Sequence, residues 1–234
     1  EVNSNGFSPV FAEVVVSDYQ IDAGSNVDID TDLDASVKWA FLKDSPVTRG
    51  LFSVMNKSAV EQSVTLSVYG NWGADGQGGI IDTSNGDQVV DNTDTWVTIA
   101  DDLVNGDNSD PVITTSISGP GSTVTTTVVD LDTSNYVIDY TFDVPAGATR
   151  SIVAFHEMSK DITGAAGIAS HYESGSALNQ ANLLAGLTNS ERSRVVNYAL
   201  PQASVAEDTR ARSSSGGSAG AAFMALIAGM GIAR

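Results

Sequence analysis

Asp28, Asp30, Asp32 and Asp34 recur at every second residue and form the densest charged feature of the chain. On a strand their carboxylates all project to one face, about 7 Å apart along it, while Ile29 and Leu33 face the core. Such a row repels itself unless water or a cation lies over it. Asp28, Asp30 and Asp32 are therefore candidate ligands for calcium, a hard cation that takes carboxylate oxygens. The run is not an EF-hand, because Leu33 stands where that loop needs glycine and Trp39 where it needs its bidentate glutamate. A looser oxygen site and a solvated acidic strand face are the two readings of this row. Asp101, Asp102, Asp107 and Asp110 form a second acidic group around Asn105-Gly106, open to the same two readings.

Other chemistry is thin. His156 and His171 are the only histidines. The run from His156 and Glu157 to Lys160 begins like the zincin motif H-E-x-x-H, but Lys160 takes the place of the second ligand, so zinc hydrolysis is not supported. His156 reads instead as a hydrogen-bonded sheet histidine. There is no G-x-S-x-G elbow, no P-loop and no G-x-G-x-x-G. Without a convergent set of reactive residue types, the sequence reads as a non-enzyme. Trp39, Trp72, Trp96, Tyr69 and Tyr136 are the aromatics that could stack on sugar rings. Trp72, between Asn71 and Gly73, is the candidate for an exposed ligand-binding side chain.

The 234 residues carry 29 acidic against 11 basic side chains, a net charge of −18. That field repels phosphate backbones and excludes nucleic acid as a partner. The absence of cysteine removes disulfides, thiolate metal sites and cysteine nucleophiles. Residue 1 is Glu rather than Met, and no basic start or apolar run opens the chain, so it reads as a mature form or a fragment.

The elements that must position these residues are strands. From Phe11 to Leu200 the dominant pattern is period-two alternation rich in Val, Ile, Thr, Tyr and Phe, broken by Gly, Asn, Asp or Pro. Strands are expected at 12–21, 50–55, 63–69, 96–100, 112–118, 123–129, 136–142 and 151–158. Asn85-Gly86 and Asn105-Gly106 carry type I′ hairpin chemistry, and Gly119-Pro120-Gly121 and Pro145-Ala146-Gly147 read as turns of antiparallel hairpins. One-sided sheets of this kind bury their apolar faces as a mainly β, antiparallel two-sheet β-sandwich. The body spans 1–160, with 1–43 as the possible end of a preceding segment. A helical extension follows at 161–200, with one helix ended by Gly186 and a second, opened by the capping box Thr188 to Glu191, running to about Ala199. Residues 201–215 have linker composition, and 216–234 form an apolar C-terminal helix.

That last segment carries Ser213-Ser214-Ser215-Gly216-Gly217-Ser218, fifteen uncharged residues from 219 to 233, and a terminal Arg234. It resembles the GlyGly-CTERM tails of exported bacterial proteins, which a rhomboid-family protease (rhombosortase) cuts near the glycine pair. The resemblance implies Gly216 and Gly217 as the processing site, with a sorting protease and the export machinery as partners. It also implies transient anchoring in the inner membrane, then release or delivery to the cell surface. The chain ends in one arginine where the family has several. As a helix the fifteen residues reach about 22 Å, short of the roughly 30 Å hydrocarbon core, so spanning needs local thinning. Asn71-Trp72-Gly73, the run Asp82 to Asp87, Asp94-Thr95-Trp96 and the run Val144 to Arg150 also resemble a β domain that recurs in large secreted bacterial proteins. The resulting expectation is an exported surface or secreted β-sandwich module for display or adhesion. The alternative is a polysaccharide-binding accessory module of a larger secreted hydrolase.

Overall fold

The computed structural model describes residues 14–16, 21–23, 27–28, 32–42, 45–71, 79–100, 112–131, 135–214 and 229–233. The strands are β1 (Val14–Val16), β2 (Ile21–Ala23), β3 (Val27–Asp28), β4 (Leu33–Phe41), β5 (Val47–Asn56), β6 (Gln62–Asn71) and β7 (Gly79–Thr83). They continue with β8 (Trp96–Ala100), β9 (Val112–Ser116), β10 (Thr125–Leu131), β11 (Asn135–Val144), β12 (Thr149–Ser159) and β13 (Gly229–Ala233). The helices are α1 (Ile162–Ala169), α2 (Gly175–Gln180), α3 (Asn189–Arg192) and α4 (Val205–Ser214), with a 3₁₀ turn at Ser170–Tyr172. A seven-stranded sheet has the order β3-β4-β5-β12-β9-β8-β7, a four-stranded sheet the order β10-β11-β6-β13, and β1 pairs with β2. Every strand pairing is antiparallel. The expected mainly β, two-sheet antiparallel sandwich is the observed fold.

Alternation explains the core. Val64, Leu66 and Val68 of β6 and Ile138, Tyr140 and Phe142 of β11 point inward from the smaller sheet. They meet Val37, Trp39, Phe52, Val54, Ile152 and Ala154 of the larger one. Thr65, Ser67 and Thr141 take the opposite face, where the Thr65 and Thr141 hydroxyls lie 2.9 Å apart, as a half-solvated sheet requires.

The larger sheet does not follow the expectation that one side of each sheet faces water. Leu51, Trp96, Val153 and Phe155 turn the other way and bury a second core against Tyr172, Leu178, Leu183, Leu184, Leu187 and Tyr198 of the helical extension. The molecule therefore has three layers, and β12 is buried on both faces over much of its length. Two arginines fasten the third layer. Arg49 Nη1 donates to the carbonyls of Leu183 (2.8 Å) and Ala185 (2.7 Å). Arg192 donates to the carbonyls of Leu184 (3.1 Å), Leu187 (3.3 Å) and Pro201 (3.1 Å). The two guanidinium groups thus bind main-chain carbonyls of the extension, among them Leu184 O, which also accepts from Leu187 N–H (3.1 Å).

The helix expected from Asn189 to Ala199 stops at Arg192, because the chain beyond turns to make an isolated parallel bridge between Val195 and Ser151 of β12. β9 pairs with β12 only over Ser159 to His156. In the vacated half of that edge, Ser151 N–H donates to Arg194 O (2.9 Å), and Val196 N–H donates to Ser151 O (2.9 Å). Asn197 finishes the pairing with its side chain. Its Oδ1 accepts from Val153 N–H (2.9 Å), and its Nδ2 donates to Val153 O (2.8 Å) and Ile117 O (3.2 Å). The extension is thus stitched into the sheet.

Other expectations need correction. Gly119-Pro120-Gly121 does form a turn, with Ser122 N–H bonded to Gly119 O (3.0 Å) and Gly121 at φ +81°. However, β9 and β10 lie in different sheets, and so do β11 and β12 on either side of Pro145-Ala146-Gly147. Both turns carry the chain across the sandwich rather than closing hairpins. At Asn85-Gly86 only the glycine has positive φ, and Gly86 N–H bonds to Thr83 O, so the turn is not type I′. The strand expected at 12–21 is instead the β1-β2 pair. The stretch 201–215 carries α4, favoured by its Ala, Glu and Arg, with Glu207 and Asp208 in the first turn and Arg212 in the last. Of the tail expected as an apolar helix, Gly229–Ala233 is strand β13 on the free edge of β6; two glycines in five residues oppose a helix. Among the described residues no helix is long and apolar enough to cross a membrane.

The capping box forms as expected: Thr188 Oγ1 accepts from Glu191 N–H (3.2 Å), and Glu191 Oε2 accepts from Thr188 N–H (2.7 Å). Thr188→Ala is expected to cost about 1 kcal/mol and lower the melting temperature by about 2–4 °C in a chain of this size. A thermal melt followed by circular dichroism measures it, and an unchanged midpoint would mean that the cap contributes nothing.

Candidate functional site

The third layer covers only part of the outer face of the seven-stranded sheet. Where it stops, a groove of about 350 Å³ opens over β4, β5 and β12, walled by Glu191 and Arg194 of the extension. Strand register decides its floor. Ser36 is the cross-strand partner of Ser53, and Ser53 of Ser151, so three serines from three strands lie in one row. The Ser53 and Ser151 hydroxyls are 2.8 Å apart. The next row on one side is Asp34, Met55 and Thr149; on the other it begins with Lys38 and Leu51. Alternation sends the intervening Ala35, Val37, Phe52, Val54 and Ile152 into the sandwich core.

Charges of both signs flank the hydroxyl row. Lys38 Nζ pairs with Glu191 Oε1 at 2.8 Å, and Lys57 Nζ with Asp34 Oδ1 at 2.7 Å. Burial acts to raise the Glu191 carboxyl's pKa, but the Lys38 ammonium and the Thr188 N–H and O–H outweigh it and hold the group below the usual carboxylate range. Glu191 therefore stays ionised at neutral pH. Hydroxyls, carboxylates and cations set over an apolar base at Leu51 and Met55 suit a ligand with many hydroxyls and few charges.

Of the residues nominated from sequence that the structure describes, Asp34 alone lines the groove. The aspartate row is not one strand: Asp28 on β3 is the antiparallel partner of Asp34 on β4, so the chain turns back between them. Alternation in sequence mimicked a strand across a hairpin connection. Asp32 sits half-buried just before β4, and its carbonyl accepts from Lys57 N–H (2.7 Å). Asp30 lies outside the described residues, as do Asp101, Asp102, Asp107, Asp110, Trp72, Gly216 and Gly217. Among the described residues no three His, Cys, Asp or Glu side chains converge to hold a metal ion. Trp39, Trp96 and Tyr136 are buried and form no sugar platform; Trp39 packs edge-on against Phe52, with ring centroids 5.5 Å apart.

His156 is the hydrogen-bonded sheet histidine that was expected. Its Nδ1 lies 3.0 Å from the Thr115 hydroxyl and its Nε2 2.9 Å from that of Tyr136, and burial pushes its pKa down to about 4. His171 Nδ1 lies 3.0 Å from Glu157 Oε2, which also accepts from Tyr172 O–H at 2.8 Å. This cluster ties the 3₁₀ turn to β12. The groove was missed by sequence reasoning because its walls are drawn from four elements up to 160 positions apart (Asp34 to Arg194). No spacing rule joins them. The local signal was the alternation of polar Asp34, Ser36 and Lys38 along β4.

No family model matches the chain, and no curated protein does. Among solved structures it is similar to a chain from Klebsiella pneumoniae subsp. pneumoniae MGH 78578 described as a "putative aldose 1-epimerase". The TM-score is 0.36 at 9% identity, over 64% of this chain and 52% of that one. The chain thus spans about half the length of that protein. The expectation of a non-enzyme is corrected by this finding, since the solved chain it resembles is described as an enzyme. The likeness supplies no reaction for this chain.

Proposed function

We propose that this protein is an exported β-sandwich module that binds a polysaccharide or a fragment of one in the groove over β4, β5 and β12. The observation that carries the reading is the row Ser36, Ser53 and Ser151, bracketed by Asp34 and by the Lys38–Glu191 pair. Neighbouring strands lie about 5 Å apart and the Ser53 and Ser151 hydroxyls are bonded to each other at 2.8 Å, a row along which the hydroxyls of a sugar chain can exchange hydrogen bonds. Glu191 and Asp34 accept from sugar hydroxyls, while Lys38 and Arg194 donate to them. The lack of an exposed ring among the lining residues makes hydrogen bonding, rather than stacking, the source of affinity. Export and adhesion belong to the same proposal and rest on the sequence of residues 213–234.

Isothermal titration of the intact chain with neutral and uronate-containing oligosaccharides tests the binding. At least one class is expected to bind, and Arg194→Ala to weaken it about tenfold, the effect of losing one good charged hydrogen bond. Equal affinity in the variant, or no heat with either class at millimolar ligand, would sink the groove reading. Mass spectrometry of released protein tests the export reading separately, where an intact C-terminus at Arg234 counts against processing.

A further inference from the structure

One side of β6 in the four-stranded sheet is covered by a short strand. β6 is paired along all ten residues with β11 on one side. On the other, among the described residues, it meets the five residues of β13, Gly229 opposite Tyr69 through Ala233 opposite Thr65. Natural edge strands are protected from adding further strands by Lys, other charges, Pro or bulges. β6, from Gln62 to Asn71, contains no Asp, Glu, Lys, Arg or Pro. Its protection is the C-terminal strand of the chain. Met230 and Ile232 hold the positions opposite Val68 and Leu66, two residues buried in the sandwich core, while glycines hold those opposite Tyr69 and Ser67. The pairing is thus made by main chain, with an apolar residue at each alternate step, the pattern by which an added strand is recognised at a sheet edge.

We infer that in the unprocessed chain, which keeps residues 229–233, the outer edge of β6 is a strand-acceptor site, filled within one chain by β13 and able to take the same C-terminal segment from a second copy. A second copy is the favoured occupant because its segment is identical to the resident one and matches the same register. Fourteen residues, 215–228, separate α4 from β13 in sequence, which extended can reach about 46 Å, enough for donation to a neighbour. Exchange of an identical element between protomers is a low-cost route to assembly. The site is independent of the groove, which lies on the outer face of the other sheet.

The chain has no cysteine, so an engineered thiol pair reports the site without interference. Thr65 and Ala233 are register partners, and antiparallel partners lie at Cα separations a disulfide can bridge. Acceptor chains carry Thr65→Cys, either alone or with Met230→Pro and Ile232→Pro to empty the edge, since proline removes main-chain donors. The probe is a synthetic peptide of residues 226–234 with Ala233→Cys. The emptied chain is expected to trap the peptide as a disulfide at least tenfold faster than the chain that keeps its own β13, and faster than it traps a scrambled peptide. Equal rates would overturn the proposal. Should the proline variant misfold, the full chain carrying both Thr65→Cys and Ala233→Cys decides instead. It is expected to close an internal disulfide when dilute and to form cross-linked dimers when concentrated, and a failure to form dimers at any concentration overturns exchange between copies.

Discussion

Asn197→Leu is expected to destabilise the protein by about 4 kcal/mol. The asparagine is fully buried and bonds the N–H and carbonyl of Val153 and the carbonyl of Ile117. Leucine fills similar space but leaves the buried Val153 N–H and carbonyl without partners, each costing about 1–3 kcal/mol, while the Ile117 carbonyl keeps the Tyr140 hydroxyl at 3.0 Å. It also unfastens the 194–197 segment from β12, so the groove wall carrying Arg194 should loosen at the same time. Urea denaturation measures the loss. A change under 1 kcal/mol would mean that the extension is merely laid on the sheet and not built into it.

Acid should weaken the fold in a window set by His156. The imidazole is buried between two hydroxyls with a pKa of about 4, against an ordinary value of 6.5. Folded protein therefore keeps the ring neutral between these values, while unfolded protein takes up a proton. Stability from this group is whole above pH 6.5, falls as the pH drops toward 4, and changes no further below that. The gap corresponds to about 3 kcal/mol. His156→Gln keeps a donor and an acceptor but does not titrate. Denaturation midpoints of the two proteins from pH 7.5 to 4.5 should diverge, with the wild-type protein falling more steeply. Parallel curves would show that His156 is not desolvated.

Local signals in the sequence were good guides to local structure. β8 was legible end to end, β6 from its alternation of Val and Leu with Thr and Ser, and the Thr188 capping box from four residues. The turns at Gly119-Pro120-Gly121 and Pro145-Ala146-Gly147 were legible as turns but not as crossings between sheets, because the same backbone chemistry serves both. The strand-like use of 194–197 was hidden, since its last pairing is made by the Asn197 side chain, which no periodicity reports. The aspartate row misled because alternation continued across a change of direction, from Asp28 on one strand to Asp34 on its partner. The groove depends on register among β4, β5 and β12 and on where a distant extension stops, and both are set by tertiary packing.

The most direct test of the groove as the ligand site is amide chemical-shift mapping on the intact isotope-labelled protein, titrated with the oligosaccharide that binds best by calorimetry. Shifts should concentrate at Ser36, Lys38, Ser53, Ser151, Glu191 and Arg194 and saturate together, leaving the face of Thr65 and Thr141 on the opposite sheet unmoved. Saturable shifts confined to residues 72–78 or to the four-stranded sheet, with the serine row silent, would contradict it.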